Sequence, residues 1–198
     1  MRKRPNCLSL SAIGLLALAT TLTAFAHSNS PAPPVAPSTA SVVPLSSELT
    51  PPAILNAMLR VADWQLAHPS AHKPTDWTQG AFYAGMMALD SMSKSPKYRD
   101  AMLQMGETNQ WALGPRKYHA DDHCVGQTYA ELYLGRHENR MIGPMRQRFD
   151  DILANPSTAR SLEFRQPGGK ASELWSWCDA LFMAPPAWAR LSKATGDP

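Results

Sequence analysis

From residue 50 onward, apolar positions recur three and four residues apart, the spacing of one helix face. After Thr50-Pro51-Pro52 come Ile54, Leu55, Met58, Leu59, Val61, Ala62 and Leu66. Thr50 reads as an N-cap and the prolines as first-turn residues. The run stops at His68-Pro69. A second helix is predicted from about Thr78, with Phe82, Met86 and Leu89, and a third from Ser95-Pro96, with Tyr98, Met102, Leu103 and Met105. A fourth spans about Cys124 to Leu134, and a fifth about Met141 to Leu153. A sixth begins near Trp177 and carries Leu181, Phe182, Trp188 and Leu191. No strand-like alternation of useful length and no hairpin turn signal interrupts the series. The predicted class is all-α.

Three of these helices open alike. Trp77-Thr78-Gln79-Gly80, Asp122-His123-Cys124-Val125-Gly126 and Trp177-Cys178-Asp179-Ala180 each set polar or aromatic residues at the entrance and small residues just inside. Such recurrent helix pairs suggest a helical solenoid or a closed α/α toroid. Gly80, Ala84, Gly85, Gly126, Ala130 and Ala180 suit a crowded inner row, with more polar helices outside. Ala194-Thr195-Gly196-Asp197-Pro198 echoes Ser93-Lys94-Ser95-Pro96, where an outer helix starts, so the array reads as cut midway, a fragment of a longer enzyme.

The first 50 residues follow a different pattern. Arg2, Lys3 and Arg4 precede an apolar run from Leu8 to Leu22, and Ala24-Phe25-Ala26 closes it with a small-x-small end. Residues 1–26 therefore read as a secretion signal. The apolar run is short for a membrane span. Residues 27–50, rich in Ser, Pro and Ala and almost without charge, read as a flexible linker to a domain at 51–198. Export makes the mature chain periplasmic or secreted, with no stable membrane association once the signal is cleaved. The signal also changes the charge: 19 basic residues less Arg2, Lys3 and Arg4 leave 16 against 16 acidic ones. A near-neutral chain has no electrostatic case for nucleic acid. Three cysteines are too few for a disulfide scaffold.

Candidate chemistry clusters at the helix entrances. In His119-Ala120-Asp121-Asp122-His123-Cys124, the acids read as a carboxylate site at a helix start, as N-caps, or as part of a metal site. The metal spacing matches no standard pattern. In Trp175-Ser176-Trp177-Cys178-Asp179, an acid beside two tryptophans and an apolar run is expected to be poorly hydrated. Poor hydration raises a carboxyl pKa and suits a general acid near neutral pH. Tryptophan faces suit stacking on a sugar ring. The alternative is a cap beside two core tryptophans. Cys124 and Cys178 lie next to the candidate acids, either as a disulfide or as two thiols.

The segments Asp76-Trp77-Thr78-Gln79-Gly80-Ala81-Phe82-Tyr83-Ala84-Gly85, Ala120-Asp121-Asp122-His123-Cys124-Val125-Gly126-Gln127 and Trp177-Cys178-Asp179-Ala180-Leu181-Phe182-Met183-Ala184-Pro185-Pro186 resemble glycoside hydrolase family 105, the unsaturated rhamnogalacturonyl hydrolases, related to family 88. The resemblance runs from about residue 52 to the end and implies the N-terminal half of an (α/α)6 barrel. It implies action on the terminal 4,5-unsaturated uronic acid that a polysaccharide lyase leaves on an acidic oligosaccharide such as pectin or rhamnogalacturonan. The chemistry implied is hydration of a vinyl ether, unlike the two-carboxylate schemes of most glycosidases. It places Asp179 at the acid/base position and a second, assisting carboxylate at Asp121 or Asp122. Trp77, Trp175 and Trp177 would line the sugar subsite, and His123 or Gln127 would bind hydroxyls. No metal or organic cofactor is implied. Two features depart from the family: Gly168–Leu174 holds no histidine, and the later sugar-binding Arg, His and Trp have no counterpart. A half-barrel exposes inner apolar helices, so self-association is expected.

Overall fold

The computed structural model describes residues 44–162 and 170–197. The signal reading at 1–26, most of the linker reading and Gly168-Gly169 lie outside these residues. Among them the structure is helical, without strands.

Helix α1 runs Pro51–Ala67, with proline in its first turn; Thr50 precedes it in extended backbone, and its side chain makes no capping bond. Helix α2, Trp77–Met92, is capped instead by Asp76, whose Oδ1 accepts from the Thr78 amide at 2.9 Å and from its hydroxyl at 2.6 Å. Helix α3 is Lys97–Thr108. A 3-10 turn, Ala120–His123, leads into α4, Gly126–Arg136. Helix α5, Gly143–Ala154, follows a second 3-10 turn at Asn139–Met141. A third such turn, Ala171–Leu174, precedes α6, Ala180–Met183, and α7, Pro185–Thr195.

The sixth predicted helix is therefore two helices. Pro185 and Pro186 have no amide hydrogen to give to the carbonyls four residues back, so a continuous helix cannot pass them. The carbonyl of Phe182 is left without the amide that Pro186 cannot give, and the Gln127 side-chain amide donates to it at 2.7 Å, also reaching the Met183 carbonyl at 3.5 Å. The prolines then open α7 where a missing N–H costs nothing.

The three predicted inner helices are consecutive neighbours: α2 packs on α4, and α4 on α7, with α3 against α2 and α4. Met86, Met102, Tyr129, Met141, Met145 and Phe149 fill the core between them. Close approach depends on two of the expected small residues. A Cβ at Gly80 would meet Cβ and Sγ of Cys124 at 2.9 Å, and one at Gly126 would meet Met145 Sδ at 2.6 Å. Gly85 differs from the expectation: it is exposed, with open space where a Cβ would stand. It borders an apolar groove that continues onto α1, where Met58 and Val61 are exposed.

Candidate active site

The entrances of α2, α4 and α6 meet at one end of this helix row. Between them lies a cavity of about 250 Å³ whose walls include Trp77, Asp121, Trp175, Trp177 and Asp179. Five of the eight residues named from sequence are thus brought together. His119, Ser172 and Ser176 complete its polar lining.

Asp121 and Asp122 have opposite surroundings. In a 3-10 turn successive side chains stand about 120° apart, so neighbours point to different environments. Asp121 lines the cavity. Asp122 is 4% exposed, and its carboxylate accepts from the Arg116 amide at 2.6 Å and from Arg116 Nε and Nη2 at 2.9 and 2.5 Å. Its backbone carbonyl accepts from Gly114 N at 2.9 Å, and a Cβ on Gly114 would lie 2.4 Å from Asp122 Cγ. Neither acid makes a side-chain cap to this turn. The hydrogen bond to the Asp122 carboxylate raises the Arg116 guanidinium pKa.

His123 and Gln127, read as hydroxyl binders, do not reach the cavity. Gln127 is buried on the broken α6–α7 junction, its side-chain oxygen accepting from Arg190 at 3.3 Å. His123 is fully buried against the rings of Phe149, Trp175 and Trp188. Its Nε2 donates to the Lys117 carbonyl at 2.9 Å, and its Nδ1 accepts from the Trp188 indole N–H at 3.2 Å. Burial lowers its pKa to about 4, and protonating Nδ1 would also forfeit the Trp188 bond. An unfolded-chain histidine titrates near 6.5. Between these values the unfolded chain binds the extra proton, so stability falls as pH drops from about 6.5 towards 4. The expected slope from this group approaches about 1.4 kcal/mol per pH unit. Denaturant unfolding at stepped pH measures it, and His123→Asn should flatten that window.

Together these residues fix the cavity wall. Residues 114–119 are held by Asp122 through Arg116, by His123 through Lys117, and by Trp175, whose indole N–H donates to the Tyr118 carbonyl at 2.9 Å. Trp175 takes a left-handed backbone (φ 54°), which a side chain other than glycine adopts only where its surroundings compensate. Arg116 and Gly114 escaped the sequence reading; an Arg-x4-Asp-Asp spacing was the available signal.

Asp179 also departs from expectation. It is exposed, so it lacks the poorly hydrated setting foreseen for it, and its side chain makes no capping bond to α6. Trp77 and Trp177 are also largely open to solvent. Cys124 and Cys178 are both free thiols. Cys124 is buried, which pushes its pKa up to about 12, and Cys178 is exposed. Among the described residues no group of three or more His, Cys, Asp or Glu is placed to hold a metal ion, and no helix is long and apolar enough to cross a membrane.

Residues 56–198 match the model of Glycosyl Hydrolase Family 88. The chain belongs to that family. An unsaturated 3S-rhamnoglycuronyl hydrolase of Formosa agariphila is 34% identical over 146 residues, which cover 71% of this chain and 38% of the relative. A protein of the same name from Alteromonas sp. (strain LOR) is 31% identical over 159 residues, covering 69% of this chain and 38% of the relative. The chain thus spans under half the length of these curated relatives. A solved polysaccharide lyase (BACCELL_00875) superposes with a TM-score of 0.55 at 21% identity, covering 72% of this chain and 43% of that one. That likeness supports the α/α-barrel type of fold for the family 88 segment. The sequence resemblance named family 105 and its relative, family 88; the matching description is family 88.

Proposed function

We propose that this chain is a glycoside hydrolase that removes a terminal 4,5-unsaturated uronic acid from lyase-generated acidic oligosaccharides. The observation that carries the reading is the cavity, in which two carboxylates from different helix entrances face one space among three tryptophans. Its volume of about 250 Å³ lies just below the usual ~300–1,000 Å³ of ligand pockets and suits a single ring. The names of the two curated relatives favour a rhamnose-linked uronide over other aglycones.

Asp179 is assigned as the acid that protonates C4 of the vinyl ether. Water bonds to C5, giving a hemiketal. Opening of that hemiketal leaves a ketone at C5 and frees a hydroxyl on C1, which collapses to the aldehyde and releases the aglycone alcohol. Asp121, which lines the same cavity from the turn before α4, is the assisting carboxylate. Asp122, His123 and Gln127 are assigned to holding the wall. The N-terminal signal pattern supports a periplasmic or secreted location.

The test is the ultraviolet absorbance of the conjugated uronate in lyase-generated disaccharides. It should fall on incubation with the purified chain, with release of the aglycone sugar. Stable absorbance under saturating enzyme would overturn the reading.

A further inference from the structure

His119 is a cavity residue that no comparison assigns. Its ring is divided between two environments. Nδ1 is buried, makes no hydrogen bond, and stands 3.4 Å from Oδ2 of Asp121. The side chain as a whole keeps 21% of its surface and lines the cavity. The exposed part is therefore the rest of the ring, and Nε2 is the polar atom it has left to offer a ligand.

Charge gives this arrangement its meaning. Among the described residues lining the cavity, Asp121 and Asp179 are the acids, and no Lys or Arg joins them. Arg116 lies behind the wall, with Nη2 3.4 Å from the same Asp121 oxygen, but Asp122 holds its guanidinium. An anionic sugar entering this space meets like charge unless a cationic donor offsets it. His119 is the lining residue able to carry a positive charge. Asp121, with Oδ2 3.4 Å from Nδ1, is the carboxylate placed beside that ring. An unpartnered buried nitrogen is costly, so its place beside a carboxylate and a ligand cavity calls for a role.

We infer that His119 is the residue of this cavity that recognises the substrate's carboxylate, with Asp121 positioning it. The inference rests on the proposed hydrolase reading and deepens it, since it names the group that selects a uronic acid over a neutral sugar.

The test pairs a change in the protein with a change in the ligand. The full chain and its His119→Ala and His119→Gln variants are assayed on the unsaturated disaccharide and on its uronate methyl ester. Charge-assisted hydrogen bonds contribute enough that KM for the acid should rise about tenfold or more in His119→Ala. The kcat should change much less, and KM for the ester should barely move. His119→Gln, which keeps a donor without the charge, should recover part of the loss. It also stands in if the alanine variant melts early. Equal effects on acid and ester, or none on either, would overturn the inference and leave the hydrolase reading intact. Calorimetric titration of the disaccharide separates the remaining outcomes. Binding that depends on His119 without turnover supports the inference and overturns the hydrolase reading. Neither binding nor turnover in the unaltered chain overturns both.

Discussion

Asp179→Asn is expected to lower kcat/KM for the unsaturated disaccharide by about 10²–10⁴-fold, the range associated with one general acid. The change replaces a proton donor by an amide of the same shape. Asp179 is exposed and makes no capping bond to α6, so the fold has little at stake there. Substitutions at such surface positions usually stay within about 0.5 kcal/mol. A large loss of turnover at unchanged melting temperature therefore isolates the chemistry. The comparison needs steady-state absorbance assays and thermal melts on the same preparations. If Asp179→Asn retains more than about a tenth of the activity, proton donation passes to another group. Asp121→Asn would then be the variant to assay next.

The second large effect concerns stability, and it falls on the neighbouring acid. Asp122→Asn should destabilise the fold by about 2–4 kcal/mol, because it takes a buried partner from a charged hydrogen-bond network. The upper end of the range for a broken buried pair is discounted here: the Arg116 side chain is 54% exposed and recovers some solvation. Asp121→Asn, one residue away, should cost less than about 1 kcal/mol, since its carboxylate has only long contacts of 3.4 Å. Urea unfolding of both variants measures the contrast. Equal stabilities would show that the Arg116 contacts seen here do not bear on folding. Activity should fall in both variants for different reasons. Asp121→Asn acts in the cavity, while Asp122→Asn loosens residues 114–119, which carry His119 into it.

The helices were legible because their cores face one way. Met86, Leu89, Met102, Leu103 and Tyr129 are buried at the positions the 3.6-residue period selects. The entrances of α2, α4 and α6 were legible because tryptophans and acids concentrate there, and five of those residues share the cavity. The rest depends on partners far away in sequence. Gln127 looks like a ligand residue until Pro186 leaves the Phe182 carbonyl without its helical donor and the Gln127 amide supplies one. His123 looks like one until Lys117 and Trp188 occupy both its nitrogens. Asp121 and Asp122 are the same residue type in adjacent positions. Only the turn that points them apart, and Arg116 on one side of it, gives them different work. The hydration of Asp179 differs from expectation for a related reason: tryptophans adjacent in sequence do not bury an acid when their own faces stay open.

One measurement tests the central assignment most directly. The purified chain is incubated with an unsaturated uronyl disaccharide and, separately, with its saturated counterpart carrying the same aglycone. The account expects the conjugated absorbance to vanish and the aglycone to appear from the unsaturated sugar only, because protonation at C4 requires the vinyl ether. Release of aglycone from both sugars at similar rates, or from neither, would contradict it.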